Sequence, residues 1–180
     1  AWMTKLTNNY KFMDSSALVT PVFKVDSVHT YQLEFWHNYS SETYHDGGLV
    51  EVSYDGATWW SVGNGIVNND WHNTDHVTAL DVVKSGWAGS TPNNQWVKSK
   101  MKICFDSTRF AVFRFRFASD YSFEYPGWAI DDFCFFEQGT GGCQSYIGEE
   151  ELKLQSLGVG NVIPNPTSGD TYVPFVMNRS

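Results

Sequence analysis

Apolar side chains recur at every second position through much of the chain's first two thirds, the period of a strand buried on one face. From Tyr31 to Tyr39 the residues Tyr31, Leu33, Phe35, His37 and Tyr39 share a face. Leu49 to Tyr54 sets Val50, Val52 and Tyr54 against Glu51 and Ser53. Asp55-Gly56 then reads as a tight hairpin turn into a strand around Thr58 to Val62. The clearest strand runs from Phe110 to Ala118, with Ala111, Phe113, Phe115 and Phe117 on one side and Arg114 and Arg116 on the other. Val97 to Phe105 and Trp128 to Phe136 add two more. The last carries apolar residues on both faces, which predicts a central place in its sheet.

The alternation fails between Gly63 and Gln95, a polar excursion rich in Asn, Asp and Trp with one short amphipathic piece at Val77 to Val83. Excursions of that length in a compact domain are binding loops or decoration. After Cys143 a triplet of glutamates and Leu157-Gly158-Val159-Gly160 read as a linker, with a helical turn or two over Glu149 to Leu157. Short strands, Gly/Asn/Asp turns and scarcely any helix predict an all-β fold, an antiparallel β-sandwich of the jelly-roll kind over residues 1–145. Residues 146–160 are the expected linker and 161–180 the opening strand of a second small sandwich.

Composition agrees and removes some functions. Aromatic residues make up 17% of the 180 residues, which suits half-buried sheet surfaces. A net charge of −8 without any basic stripe argues against nucleic acid. No apolar run reaches the ~20 residues that span a bilayer. Ala1-Trp2-Met3 reads as the interior of a longer chain, with any export signal upstream.

The run Val162-Ile163-Pro164-Asn165-Pro166-Thr167-Ser168-Gly169-Asp170 resembles the start of the C-terminal sorting domain on cargo of the bacterial type IX secretion system. That resemblance implies a secretion signal at Asn161, Pro164, Asn165, Pro166, Thr167, Ser168, Gly169 and Asp170. It also implies an outer-membrane translocon with its shuttle proteins as partners, and a secreted or cell-surface destination. Sorting domains of this kind are longer than the stretch after Asn161, so Ser180 is expected to fall inside one.

A second resemblance rests on the order of Leu33-Glu34-Phe35-Trp36, Asp46-Gly47-Gly48-Leu49-Val50-Glu51-Val52-Ser53, Asp55-Gly56, Thr58-Trp59, Phe113-Arg114-Phe115-Arg116-Phe117, Ser119-Asp120 and Gly127-Trp128-Ala129-Ile130-Asp131-Asp132. From about Leu18 to Glu137 the chain resembles the jelly-roll module of MAM-type adhesion domains and reelin repeats. The same module follows the catalytic domain of immune-inhibitor-A-type peptidases. The resemblance implies a non-catalytic binding or spacer unit, often with a structural calcium ion near the strand ends. Glu42, Asp46, Asp120, Asp131 and Asp132 are the candidate ligands, since calcium takes six to eight oxygens at about 2.3–2.6 Å. Neighbouring Asp131 and Asp132 face opposite sides of a strand, so only one can look inward, and it needs a counter-charge. A cation, Arg114 or Arg116, or turn amides would serve equally.

Other motifs carry less. His72 and His76 stand four apart, but in loop-like surroundings two exposed, unrelated histidines are expected rather than a zinc pair. His37, on an apolar face, reads as a core histidine. No Gly-x-Ser-x-Gly elbow, phosphate-cradling loop or Cys-x-x-Cys pair occurs, so no enzyme is expected in this chain. Trp71, Trp87 and Trp96, in or beside the excursion, are candidate sugar-stacking rings and so allow a carbohydrate-binding module. The heavier alternative folds them back to cap the sandwich, with Trp59 in the core. Cys134 and Cys143 flank a Gly-rich loop that would let them pair in an oxidising compartment, and three buried apolar thiols is nearly as good a reading.

Overall fold

The computed structural model describes residues 1–140 throughout and, beyond them, only the backbone of 145–147, 157–159 and 175–177. It is an all-β fold in which two antiparallel sheets pack face to face as a sandwich. One sheet orders its strands β1 (Trp2–Met3), β9 (Gly127–Gly139), β4 (Thr30–Ser40), β7 (Val97–Phe105) and β10 (Ser145–Ile147), the last running parallel to β7. The other orders β2 (Ser15–Val19), β8 (Arg109–Ala118), β5 (Gly47–Ser53) and β6 (Trp60–Ser61), with β3 (Phe23–Val25) also on β8. The described residues contain no α-helix, and one short 3₁₀ turn spans Pro92–Asn94.

The alternating positions build the core as the sequence pattern requires. Tyr31, Leu33, Phe35, His37 and Tyr39 of β4 are all buried, facing Val50 and Val52 of β5 and Phe113, Phe115 and Phe117 of β8. Phe35 sits at the centre, edge-on to Phe115 at 4.9 Å and to Trp87 at 5.4 Å between ring centroids. Edge-to-face pairs of this kind add to burial because the positive rim of one ring meets the negative face of another.

Three strand expectations change. Strand β9 is not central along its length. It is covered by the two-residue β1 near Trp128 to Ile130, and beyond that its burial alternates, with Phe136 exposed. Of its apolar residues, Phe133 and Phe135 pack against the core and Phe136 is left on the open outer face. A bulge opposite Phe35 shifts the register between Glu34 and Trp36, and Asp132 there takes φ 49°. Trp59 is only half-buried and lies under the guanidinium of Arg114, 4.1 Å from its ring centroid. A cation–π contact on the outer face holds it outside the core.

Strand β5 is buried on both faces, including Glu51 and Ser53. Its outer face is covered because the 63–95 excursion folds across it: Leu49 packs with Val77, Leu80 and Ala88. Trp87 exchanges two backbone hydrogen bonds with Gly48, at 2.8 and 3.0 Å. Gly48 must be glycine, since a Cβ would stand 2.3 Å from the Trp128 ring. Beyond the sandwich, β11 (Leu157–Val159) pairs antiparallel with β12 (Phe175–Met177), so part of the expected linker is strand. The predicted helical turn after Glu149 and the secretion-signal residues from Asn161 to Asp170 lie outside the described residues.

Candidate functional site

Three of the five predicted calcium ligands meet. Glu42 and Asp46 lie on the β4–β5 loop, and Asp120 follows β8; one oxygen from each falls within 4.8 Å of the others. Two oxygens on opposite sides of a calcium ion stand roughly 4.6–5.2 Å apart, so the spacing suits that ion. Asp46 is wholly buried. Its Oδ2 accepts the Tyr10 hydroxyl proton at 2.6 Å and its Oδ1 accepts the Asp120 amide at 2.7 Å. Burial raises its pKa above the usual carboxylate range, helped by the charges of Asp120 and Glu42 and opposed by those two hydrogen bonds. Burial and the Asp46 carboxylate likewise push the Tyr10 phenol up, so it stays a donor.

Ser122 closes the group: its one hydroxyl proton has two carboxylate acceptors in reach, Glu42 Oε2 at 3.0 Å and Asp120 Oδ1 at 2.8 Å. Among the described residues no Lys or Arg pairs with the three acids, and His45 Nδ1 stands 3.6 Å from Asp120 Oδ2. Converging carboxylates without a cationic side chain suit a divalent cation chemically. Tyr10 and Ser122 gave no signal in the sequence, because neither loop carries a periodic pattern that would bring them to Asp46.

Asp131 and Asp132 do not join this group. Both are exposed where β9 bulges, and the Asp132 amide donates to Asp131 Oδ1 at 3.0 Å. Nor do Arg114 and Arg116 serve them. Both arginines turn to Glu51, Arg114 Nε donating to Oε2 at 2.6 Å and Arg116 Nη1 lying 3.8 Å from Oε1. Lys84 of the excursion adds a third cation at 3.4 Å. The buried carboxylate these cations compensate is Glu51, on β5 of the opposite sheet from the expected pair.

The indole candidates separate. Trp71 and Trp87 are 2% exposed and belong to the core, so they present no ring to a sugar. Each is fixed by its N–H, Trp71 donating to the Val62 carbonyl and Trp87 to the Trp71 carbonyl. Trp96 alone stays open at 43%. His72 is buried too, contrary to the expectation of an exposed residue, with Nδ1 2.8 Å from Ser85 Oγ. His37 is the core histidine expected: Nδ1 accepts the Trp128 indole proton at 3.0 Å, and Nε2 lies 3.0 Å from Ser99 Oγ. Burial pulls both imidazoles down to a pKa of about 3.

The expected Cys134–Cys143 bridge does not form. Cys134 sits opposite Glu34 on the outer face of β9, an exposed free thiol, whereas Cys104 is disulfide-bonded. Cys143 lies outside the described residues.

Between the 67–73 stretch and the facing ends of β4 and β7 lies a groove of about 470 Å³. Its lining includes His37, Asn68, Asn69, Asn73, Lys98 and Ser99. Compared with family models and with curated proteins, the chain matches none.

Proposed function

We propose that this chain is a non-catalytic binding or spacer module of a bacterial protein exported as type IX cargo, with calcium at Glu42, Asp46 and Asp120. The observation carrying the non-catalytic reading is the state of its two Ser–His contacts. A general base must hold a free lone pair toward the hydroxyl and titrate near the working pH. The Trp128 indole N–H can only donate, so His37 Nδ1 is occupied and its Nε2 carries the proton toward Ser99. His72 and Ser85 are fully buried, and both imidazoles titrate near 3. These pairs suit structure better than hydrolysis. Incubating the chain with peptide and glycoside substrates should give no turnover, and turnover abolished by Ser85→Ala or Ser99→Ala would refute the reading.

A disulfide at Cys104 supports export, since such bonds persist in oxidising compartments. The two-sheet sandwich is the fold that the MAM and reelin resemblance requires, and an accessory place beside an upstream peptidase belongs to the same proposal. For calcium the test is thermal. An ion held a hundredfold above its Kd stabilises by about 2.7 kcal/mol, so chelation should lower Tm by several degrees. Asp46→Asn should erase that difference. A melt indifferent to chelator would remove calcium from the account. For export, replacing Pro164 to Gly169 in the secreting cell should leave the protein in the periplasm.

A further inference from the structure

We infer that the groove beneath the excursion is a binding site for a neutral, hydroxyl-rich ligand, a carbohydrate, held by the Asn69 amide and the Ser99 hydroxyl. The inference rests on reading the chain as a binding module and names what it binds. It does not use the acid trio, which shares no residue with the groove.

Size and charge select the ligand class. The volume of about 470 Å³ falls within the range of small-molecule sites, about 300–1,000 Å³. Among the described residues that line this groove, none is acidic. The one cation among those described residues, Lys98, is already paired with Glu34 at 2.7 Å. An anionic ligand thus meets no free positive charge and a cationic one meets no carboxylate. Three asparagines supply neutral donors and acceptors, while Val67, Pro92 and Val97 offer small apolar surfaces for the C–H face of a sugar ring. Trp71 and Trp87 stand behind these walls, too buried for face-on stacking.

Free hydrogen-bonding capacity is localised. Asn73 spends its amide on the Ala88 backbone, donating at 2.8 Å and accepting at 3.0 Å, and Asn68 Oδ1 accepts the Asp70 amide. Asn69 is exposed and, among the described residues, its side chain engages none, leaving both functions for neighbouring hydroxyls. At the groove's floor the Trp128–His37–Ser99 chain runs in one direction: indole to Nδ1, Nε2–H to Ser99 Oγ. Ser99 therefore receives a proton and has no acceptor for its own among the described residues. That proton is available to a ligand oxygen.

The experiment begins with an array of neutral and acidic oligosaccharides, followed by calorimetry on the strongest neutral binder. Asn69→Ala and Ser99→Ala should each weaken binding about tenfold, the loss of one hydrogen bond. Trp96→Ala should change nothing, and molar salt should leave the affinity intact, as expected for an uncharged ligand. Because the Asn69 side chain bonds to none of the described residues, its variant reports on the groove even where Ser99→Ala unfolds. Silence of all neutral glycans, binding that survives both substitutions, or binding lost with Trp96 alone would each overturn the inference while leaving the module reading in place. Release of reducing ends would do the opposite, supporting the groove and refuting the non-catalytic reading.

Discussion

Glu51→Gln removes one charge and almost no volume from the most heavily paired carboxylate in the sandwich. Glu51 is 1% exposed, lies directly across from Arg114 in the β5–β8 register, and faces three cations at 2.6, 3.4 and 3.8 Å. Breaking a buried ion pair by removing one partner costs about 3–5 kcal/mol, because the other charge is left without compensation. Here the side chains of Arg114, Lys84 and Arg116 are 23%, 23% and 25% exposed, so water recovers part of that loss. We expect about 2–3 kcal/mol, or a fall in Tm of roughly 5–10 °C for a domain of this size. Urea titration and thermal melts followed by near-ultraviolet circular dichroism measure both. Lys84→Gln should cost under about 1 kcal/mol, as its longer contact predicts. Arg114→Gln should cost more, since it also abandons the Trp59 ring. A Glu51→Gln variant within about 0.5 kcal/mol of the parent would refute the claim that this cluster holds the excursion and the sheet together.

Trp87→Ala should destabilise by about 3–5 kcal/mol through the cavity left among Phe35, Trp71 and Trp128, and a neutral melt would return Trp87 to the surface. Lowering the pH from 6.5 to 5 should steadily weaken the fold. His37 and His72 have folded pKa values near 3, below their unfolded 6.5, so the unfolded chain binds more protons in that window. The slope is up to about 1.4 kcal/mol per pH unit for each histidine, and a denaturation midpoint that stays level from 6.5 to 5 contradicts their burial as neutral groups. Iodoacetamide without reductant should modify Cys134 and spare Cys104, as peptide mass mapping will read; labelling of Cys104 would remove the disulfide.

The strands were legible because a period of two is a local property. Once Phe113, Phe115 and Phe117 alternate with Arg114 and Arg116, one face must leave water whichever neighbours it finds. The acid trio was partly legible, since Glu42 and Asp46 share a loop that the strand pattern delimits. Asp131 and Asp132 misled because adjacency in sequence gives no information about a bulge, and the bulge opposite Phe35 turns both toward solvent. His72 misled for a different reason, whereas the heavier reading of Trp87, folded back onto the sandwich, is the one the structure shows. The polar, patternless surroundings of His72 look exposed, yet the excursion doubles back to pair with Gly48 and carries its side chain inward beside Trp87.

From the order of its residues alone, the chain settles an all-β sandwich with an aromatic interior and a carboxylate-bearing loop between β4 and β5. Tertiary structure alone decided which carboxylates converge, which cysteine is oxidised, and that the described lining of the groove between the excursion and β7 carries no carboxylate. Each of those depends on contacts between segments tens of residues apart. Hydrophobic alternation selects a face, but only packing of the whole chain selects the partner that meets it.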